Sequence, residues 1–323
     1  MFPKTGKQLF FYKQMNRLQE KMNKKFEILY QKLLSEETKK RSETIILIIA
    51  IASFIIHLAI IYLVNFGFIS LNAPSELLKN PIAAIYTPFS FILVYEVYLL
   101  TYYLPKSITT YISKQYEIIT LIIIRRLFKD LSSLSLSDDW FNIKYDLQFT
   151  YDIIASILLF FLIYLFLKQR KNAILIGEKN EPNNEGIARF IKLKKVLATF
   201  LVLVIIFVAI YSFQHWLFGV INSTAKTGVS FKNINNIFFE QFFTILIIVD
   251  VILLLFSFFH TDKFHKVIKN SGFIISTILI RLSFSVSGLL NTLLIVSAII
   301  FGLLILIIHN KFEEYSKLEK DEV

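Results

Sequence analysis

FSFILVYEVYLLTYYLPKSITTYISKQYEIITLIIIRRLF, residues 89–128, holds Glu96 inside one apolar run and the pair Arg125 and Arg126 inside the next. A carboxylate or guanidinium at membrane depth costs several kcal/mol unless it is paired or wetted, so each of these positions asks for a cause. The pattern recurs over residues 243–284. There FTILIIVDVILLLFSFF leads through a short basic linker to FIISTILIRLSF, with Asp250 in the place of Glu96 and Arg281 in the place of Arg126. Sliding the chain on itself by 154 residues lays Phe89 on Phe243, Val97 on Val251, and Leu99 and Leu100 on Leu253 and Leu254. One inserted residue then lays Arg126 on Arg281. The stretch and its echo predict a duplicated membrane unit.

Composition agrees. The chain has 323 residues, 55% of them hydrophobic, and a mean hydropathy of +0.60, with apolar runs near the length that crosses a bilayer. The net charge of +11 sits between the apolar runs and accompanies no nucleic-acid module, so it reads as topology and not as nucleic-acid binding. The absence of cysteine excludes disulfides, thiolate catalysis and cysteine metal sites. The N-terminal residues show no short apolar core with a small-residue cleavage site, so no signal peptide is expected. Many Ile, Phe and Lys with few Gly and Pro suit a bacterial source.

The expected class is an all-α, polytopic membrane helical bundle of about eight spans, arranged as two tandem four-helix repeats. Residues 1–43 are basic and cytoplasmic, with Met15, Leu18, Met22, Phe26, Leu29 and Leu33 forming one apolar stripe on a helix. Such a helix suits an anionic lipid surface or a protein partner. Membrane repeat 1 occupies 44–167, with spans at Thr44–Val64, Ile82–Leu104, Tyr116–Leu136 and Leu147–Leu167. A polar turn around Asn72 to Pro74 follows the first span, and Pro105 closes the second. A basic cytoplasmic linker, 168–195, leads to membrane repeat 2 over 196–309, with spans at Val196–Phe218, Phe238–Phe259, Phe273–Val286 and Leu289–Ile308. Ser287 and Gly288 supply a tight turn between the last two, and residues 310–323 are a cytoplasmic tail.

Charge distribution decides between eight spans and six. With eight, the cytoplasmic segments hold 27 Lys and Arg and the outer loops four; leaving the arginine segments outside the bilayer reduces the contrast to about 22 against 13. Eight spans place both termini in the cytoplasm of a bacterial inner membrane. Two units of even span number are related by an axis along the membrane normal.

Glu96 and Arg125 each lie eight residues from the expected inner boundary, about 12 Å deep at 1.5 Å per residue, and Asp250 and Arg281 come out at roughly 13 to 15 Å. Glu96 with Arg125 or Arg126, and Asp250 with Arg281, are therefore candidate ion pairs between helices. They serve either to fix packing or to line an ion or proton path. Arg125, Arg126 and Lys129 against one glutamate leave a surplus cation in the first half, which calls for an anion, water or Asp130 and marks that half as the wetter site. His57, near the middle of the first span, is expected as a neutral histidine bonded to a neighbouring helix.

No Gly-rich phosphate loop, HExxH, nucleophile elbow or TVGYG-like filter occurs, so no enzyme, cofactor or known channel filter is expected. His260 and His265 lack a third ligand, and no metal site is expected. The expected function is a transporter or channel-like protein that moves a small ion or solute between the repeated units, either alone or as an oligomer. The competing reading is a membrane scaffold or sensor whose ion pairs only set helix packing. A hydrated cavity reaching Glu96 points to the first, and a dry, fully paired site to the second.

Overall fold

A computed structural model describes residues 6–68, 81–131, 144–177, 185–222, 231–259, 263–286 and 288–321. The described residues are almost all helical and form no strand: α1 (Gly6–Leu34), α2 (Glu36–Asn65), a 3-10 turn (Pro81–Ile85), α3 (Tyr86–Tyr103), α4 (Ile108–Leu131), α5 (Lys144–Gly177), α6 (Glu185–Asn222), α7 (Phe231–Phe258), α8 (Phe264–Ser283) and α9 (Leu289–Asp321). The polar turn around Asn72 to Pro74, Ser287 and the acidic loop at 132–143 lie outside the described residues.

Among the described residues, five stretches are long and apolar enough to cross a membrane: Gln14–Asn65, Asp146–Asn172, Ala188–Tyr211, Gln241–Phe258 and Leu289–Ser316. Eight were expected. Among the elements outside this set, α4 carries Lys114, Glu117, Arg125 and Arg126, and α8 carries His265, Lys266, Lys269 and Arg281. These charges dilute the apolar character on which the distinction rests. The molecule is inside out by the standard of a water-soluble protein. Ile48, Ile51, Ile157, Phe160 and Phe207 are exposed, while Glu96, Asp152, Asp250 and Arg281 are buried. That distribution fits a multi-pass membrane protein.

Local sequence accounts for the ends of the elements. Ser35 separates α1 from α2 by capping: its hydroxyl accepts the Thr38 N–H at 3.1 Å, and Glu36 and Glu37 occupy the positive first turn. After α2, Gly67 takes φ +76°, which lets the Phe68 N–H reach the Leu63 carbonyl at 3.0 Å and the Gly67 N–H reach Val64 at 3.1 Å. The basic stretches at 106–115 and 261–272 were expected as linkers. They are instead largely the first turns of α4 and α8, which begin at Ile108 and Phe264. A lysine-rich segment marks a side of the membrane, but lysine is also a good helix former.

Side-chain contacts give the helix directions. Arg126 with Asp152, and Arg170 with Ser113, make α4 and α5 antiparallel. Asn291 with the Ser283 carbonyl, and Lys269 with His309, do the same for α8 and α9. Thr292 meets Asp152 and Asn310 meets Gln169, so α5 and α9 lie side by side and parallel. At the centre the Tyr116 hydroxyl lies 2.6 Å from Ser276 Oγ, which in turn donates to the Ala298 carbonyl at 2.6 Å. Gly302 makes room for that tyrosine, because a Cβ there would fall 1.9 Å from the Tyr116 oxygen.

Gly302→Ala should therefore lower the unfolding free energy by about 2 kcal/mol, a usual cost of overpacking. Adding Tyr116→Phe removes the clashing oxygen and should return part of that loss in thermal unfolding of detergent-solubilised protein. A double variant weaker than Gly302→Ala alone would rule the contact out.

Candidate functional site

Two charged constellations sit inside the bundle. In the first, Glu96 on α3 places Oε2 3.1 Å from Nη1 of Arg125 on α4, which also donates to the Phe89 carbonyl at 3.2 Å. Phe89 stacks on Phe128 with centroids 5.2 Å apart. In the second, Asp250 on α7 places Oδ2 2.7 Å from Nη2 of Arg281 on α8, and Phe243 stacks on Phe284 at 5.6 Å. Each acid lies seven residues after its phenylalanine, and each arginine three residues before its own. The partner of Glu96 is thus Arg125, and Arg281 occupies the place of Arg125. The sequence alignment had laid Arg281 on Arg126 with one inserted residue, and two inserted residues bring the matching contacts into line.

Arg126 turns the other way. It holds Asp152 of α5 with a two-pronged contact, through Nε to Oδ2 and Nη2 to Oδ1, and its Nη1 donates to Asn291 Oδ1 of α9 at 2.7 Å. Gln148 and Thr292 also donate to Asp152, at 2.9 and 3.3 Å. Asp152 therefore supplies a counter-charge for Arg126 that the first half was not expected to hold. Asp152 escaped the sequence reading because it stands early in an apolar run taken as a plain span. A carboxylate there was nevertheless visible as the same signal that singled out Glu96. The side chains of Lys129 and Asp130 lie outside the described residues. His57 packs against α3, with its Nδ1 2.5 Å from the Thr87 hydroxyl.

The second constellation draws on the first half of the chain. Tyr111 of α4 donates its hydroxyl to Asp250 Oδ1 at 2.9 Å, and Arg281 Nη2 donates to Gln115 Oε1 at 3.0 Å. Asp250 is fully buried, and Gln115 and Arg281 nearly so. Gln115 Nε2, Arg281 Nη1, Asp250 Oδ2 and Glu96 Oε2 are buried without a hydrogen-bond partner, although the two carboxylate oxygens lie within ion-pair distance of their arginines. Beside Tyr111 lies a cavity of about 10 Å³ lined by Leu104, Lys194, Leu253 and Asn270 among others, which is room for roughly one water. Glu96 is not among its lining residues. Lys194 is buried there and donates to the Lys106 carbonyl at 3.0 Å.

Elsewhere, His265 lies with its Nε2 2.8 Å from Glu313 Oε1, and His309 joins them; the three offer ligand atoms within 4.8 Å of one another. The sequence reading had paired His265 with His260 and found no third ligand. The helices supply two from α9 instead.

Comparison with protein-family models, with curated proteins and with solved structures finds no match. The fold and the buried charges define the class, a helical protein with several membrane-compatible helices, and no relative refines it.

The Arg126 and Asp152 contact can be weighed directly. Removing one partner of a buried pair strands the other, so Asp152→Leu should cost about 3 to 5 kcal/mol, whereas replacing both partners with apolar groups is often near neutral. Asp152→Leu combined with Arg126→Leu should recover most of the loss in denaturant unfolding. A double variant as unstable as the single one would mean that Asn291 and Thr292, and not the charge pair, set the stability.

Proposed function

We propose that the chain is a multi-pass transport protein of a bacterial cytoplasmic membrane that moves a small ion or solute. It consists of two related four-helix units, α2–α5 and α6–α9, with eight spans and both termini in the cytoplasm. Glu96 and Asp250 carry the gating or proton-accepting role, and Arg125 and Arg281 are their counter-charges, with Arg126 held by Asp152. His57 sits apart from this path, on a packing contact.

The observation that carries this reading is incomplete satisfaction. Gln115 Nε2 and Arg281 Nη1 are buried without hydrogen bonds beside a carboxylate already held in an ion pair, whereas buried polar groups in proteins nearly always have partners. A water, an ion or a second side-chain arrangement would satisfy these atoms, and each fits a path. The repeated acid–Arg and Phe–Phe contacts in α3–α4 and α7–α8 support the duplication. The parallel course of α5 and α9 fits units related about the membrane normal.

The ion pairs favour a second reading. An interior whose charges are paired suits a scaffold or sensor, with the exposed stripe of Met15, Leu18 and Met22 on basic α1 receiving an anionic lipid surface or a protein partner.

Flux in proteoliposomes separates the two. The transport reading expects ion or proton flux in the wild type that Glu96→Gln and Asp250→Asn abolish while the protein stays folded. No flux under any gradient or voltage, with the variants unchanged or misfolded, leaves the scaffold.

A further inference from the structure

We propose that His265, His309 and Glu313 form a site for one divalent metal ion of the zinc class, where the start of α8 meets α9. The proposal stands independently of the transport reading. His309 and Glu313 are four residues apart on α9 and so share a face, and His265 faces them from the first turn of α8. Two imidazoles and one carboxylate are a donor set that zinc takes with an open fourth position, and the chain has no thiolate to compete. Ligand atoms in a tetrahedral shell with bonds of about 2.0 Å lie about 3.3 Å apart. The atoms here lie within 4.8 Å of one another, so small side-chain rotations bring them to one centre.

His309 already binds a cation. Its side chain is buried, and Nε2 lies 3.1 Å from the ammonium of Lys269, which donates to the ring nitrogen. A lone pair held toward a positive charge inside the helix pair is the orientation that a metal requires. Lysine ends in a flexible four-carbon stem and can leave that position, which the ion then fills. His265 meanwhile gives up its Nε2 contact with Glu313: its neutral ring carries the proton on Nδ1 and turns the Nε2 lone pair to the metal. Bound this way, the ion fastens α8 to α9 at His265, sixteen residues before Arg281 on the same helix.

The competition with Lys269 makes the proposal testable in both directions. The full-length protein in detergent, stripped of metal, is titrated with Co²⁺ for visible absorption and with Zn²⁺ against a chromophoric chelator. One equivalent of each is expected. His265→Ala and Glu313→Gln should weaken binding by about tenfold or more, with helix content checked by circular dichroism. Lys269→Gln removes the competing ammonium and should tighten binding, a gain that misfolding does not produce. Absence of one-equivalent Zn²⁺ binding in the wild type, binding indifferent to His265→Ala and Glu313→Gln, or weaker binding in Lys269→Gln would each overturn it.

Discussion

A charge placed in an apolar medium has to meet its opposite at the same depth, and that requirement sets the register of the helices here. Glu96 fixes how far α4 slides along α3, and Asp250 fixes α8 along α7, because a slip of one turn moves the partner by about 5.4 Å. Side-chain direction makes the meeting tolerant of small differences in level. Cα–Cβ bonds tilt toward a helix's own N-terminus. In an antiparallel hairpin the arginine therefore leans toward the turn and the acid leans away from it. Arg125 and Arg281, the longer members, cover most of the gap. The aromatic stacks of Phe89 on Phe128 and of Phe243 on Phe284 lie on the far side of each pair from the turn and hold the same register by packing.

The two constellations differ in how they are closed. Glu96 and Arg125 come from one hairpin, and the further bond of that arginine goes to the carbonyl of Phe89 on the same hairpin. The Asp250 and Arg281 pair is enclosed by Tyr111 and Gln115 of α4, while Arg126 and Asp152 are enclosed by Asn291 and Thr292 of α9. Each half of the chain thus completes a polar site that contains residues of the other. Hydrogen bonds to charged groups contribute roughly 1.5–3 kcal/mol each, more than neutral ones, and so the two halves are fastened where the surroundings make such bonds count most.

Much of this was legible in the residues because the medium makes certain residues conspicuous. Glu96, Asp250 and the arginines stand out in apolar runs, and their even distance from the run ends is enough to suggest who meets whom. Asp152 carried the same signal but stood near the start of a run, where a charge is read as a boundary. Tyr111, Gln115 and Asn291 carried none, since a tyrosine or an amide in such a helix is ordinary until a neighbouring charge gives it a task. The first turns of α4 and α8 were hidden by lysines, which report the side of the membrane and say little about secondary structure. His265 lies on a different helix from His309 and Glu313, and only the antiparallel packing of α8 on α9 brings the three together.

The placement of these bonds also constrains how such a bundle could work. On the transport reading, alternating access by rocking one half against the other would break the contacts of Tyr111 with Asp250, Gln115 with Arg281, Asn291 with Arg126 and Thr292 with Asp152 together. At roughly 1.5–3 kcal/mol for each bond to a charge, that exceeds what most small-ligand binding differences supply, typically 1–3 kcal/mol. A change confined to one hairpin breaks less. Glu96 and Arg125 both belong to the α3–α4 hairpin, so opening their salt bridge does not itself break one of those four contacts. On the transport reading, the first pair is therefore the candidate moving element, and the second, tied to Tyr111 and Gln115, the frame against which it moves.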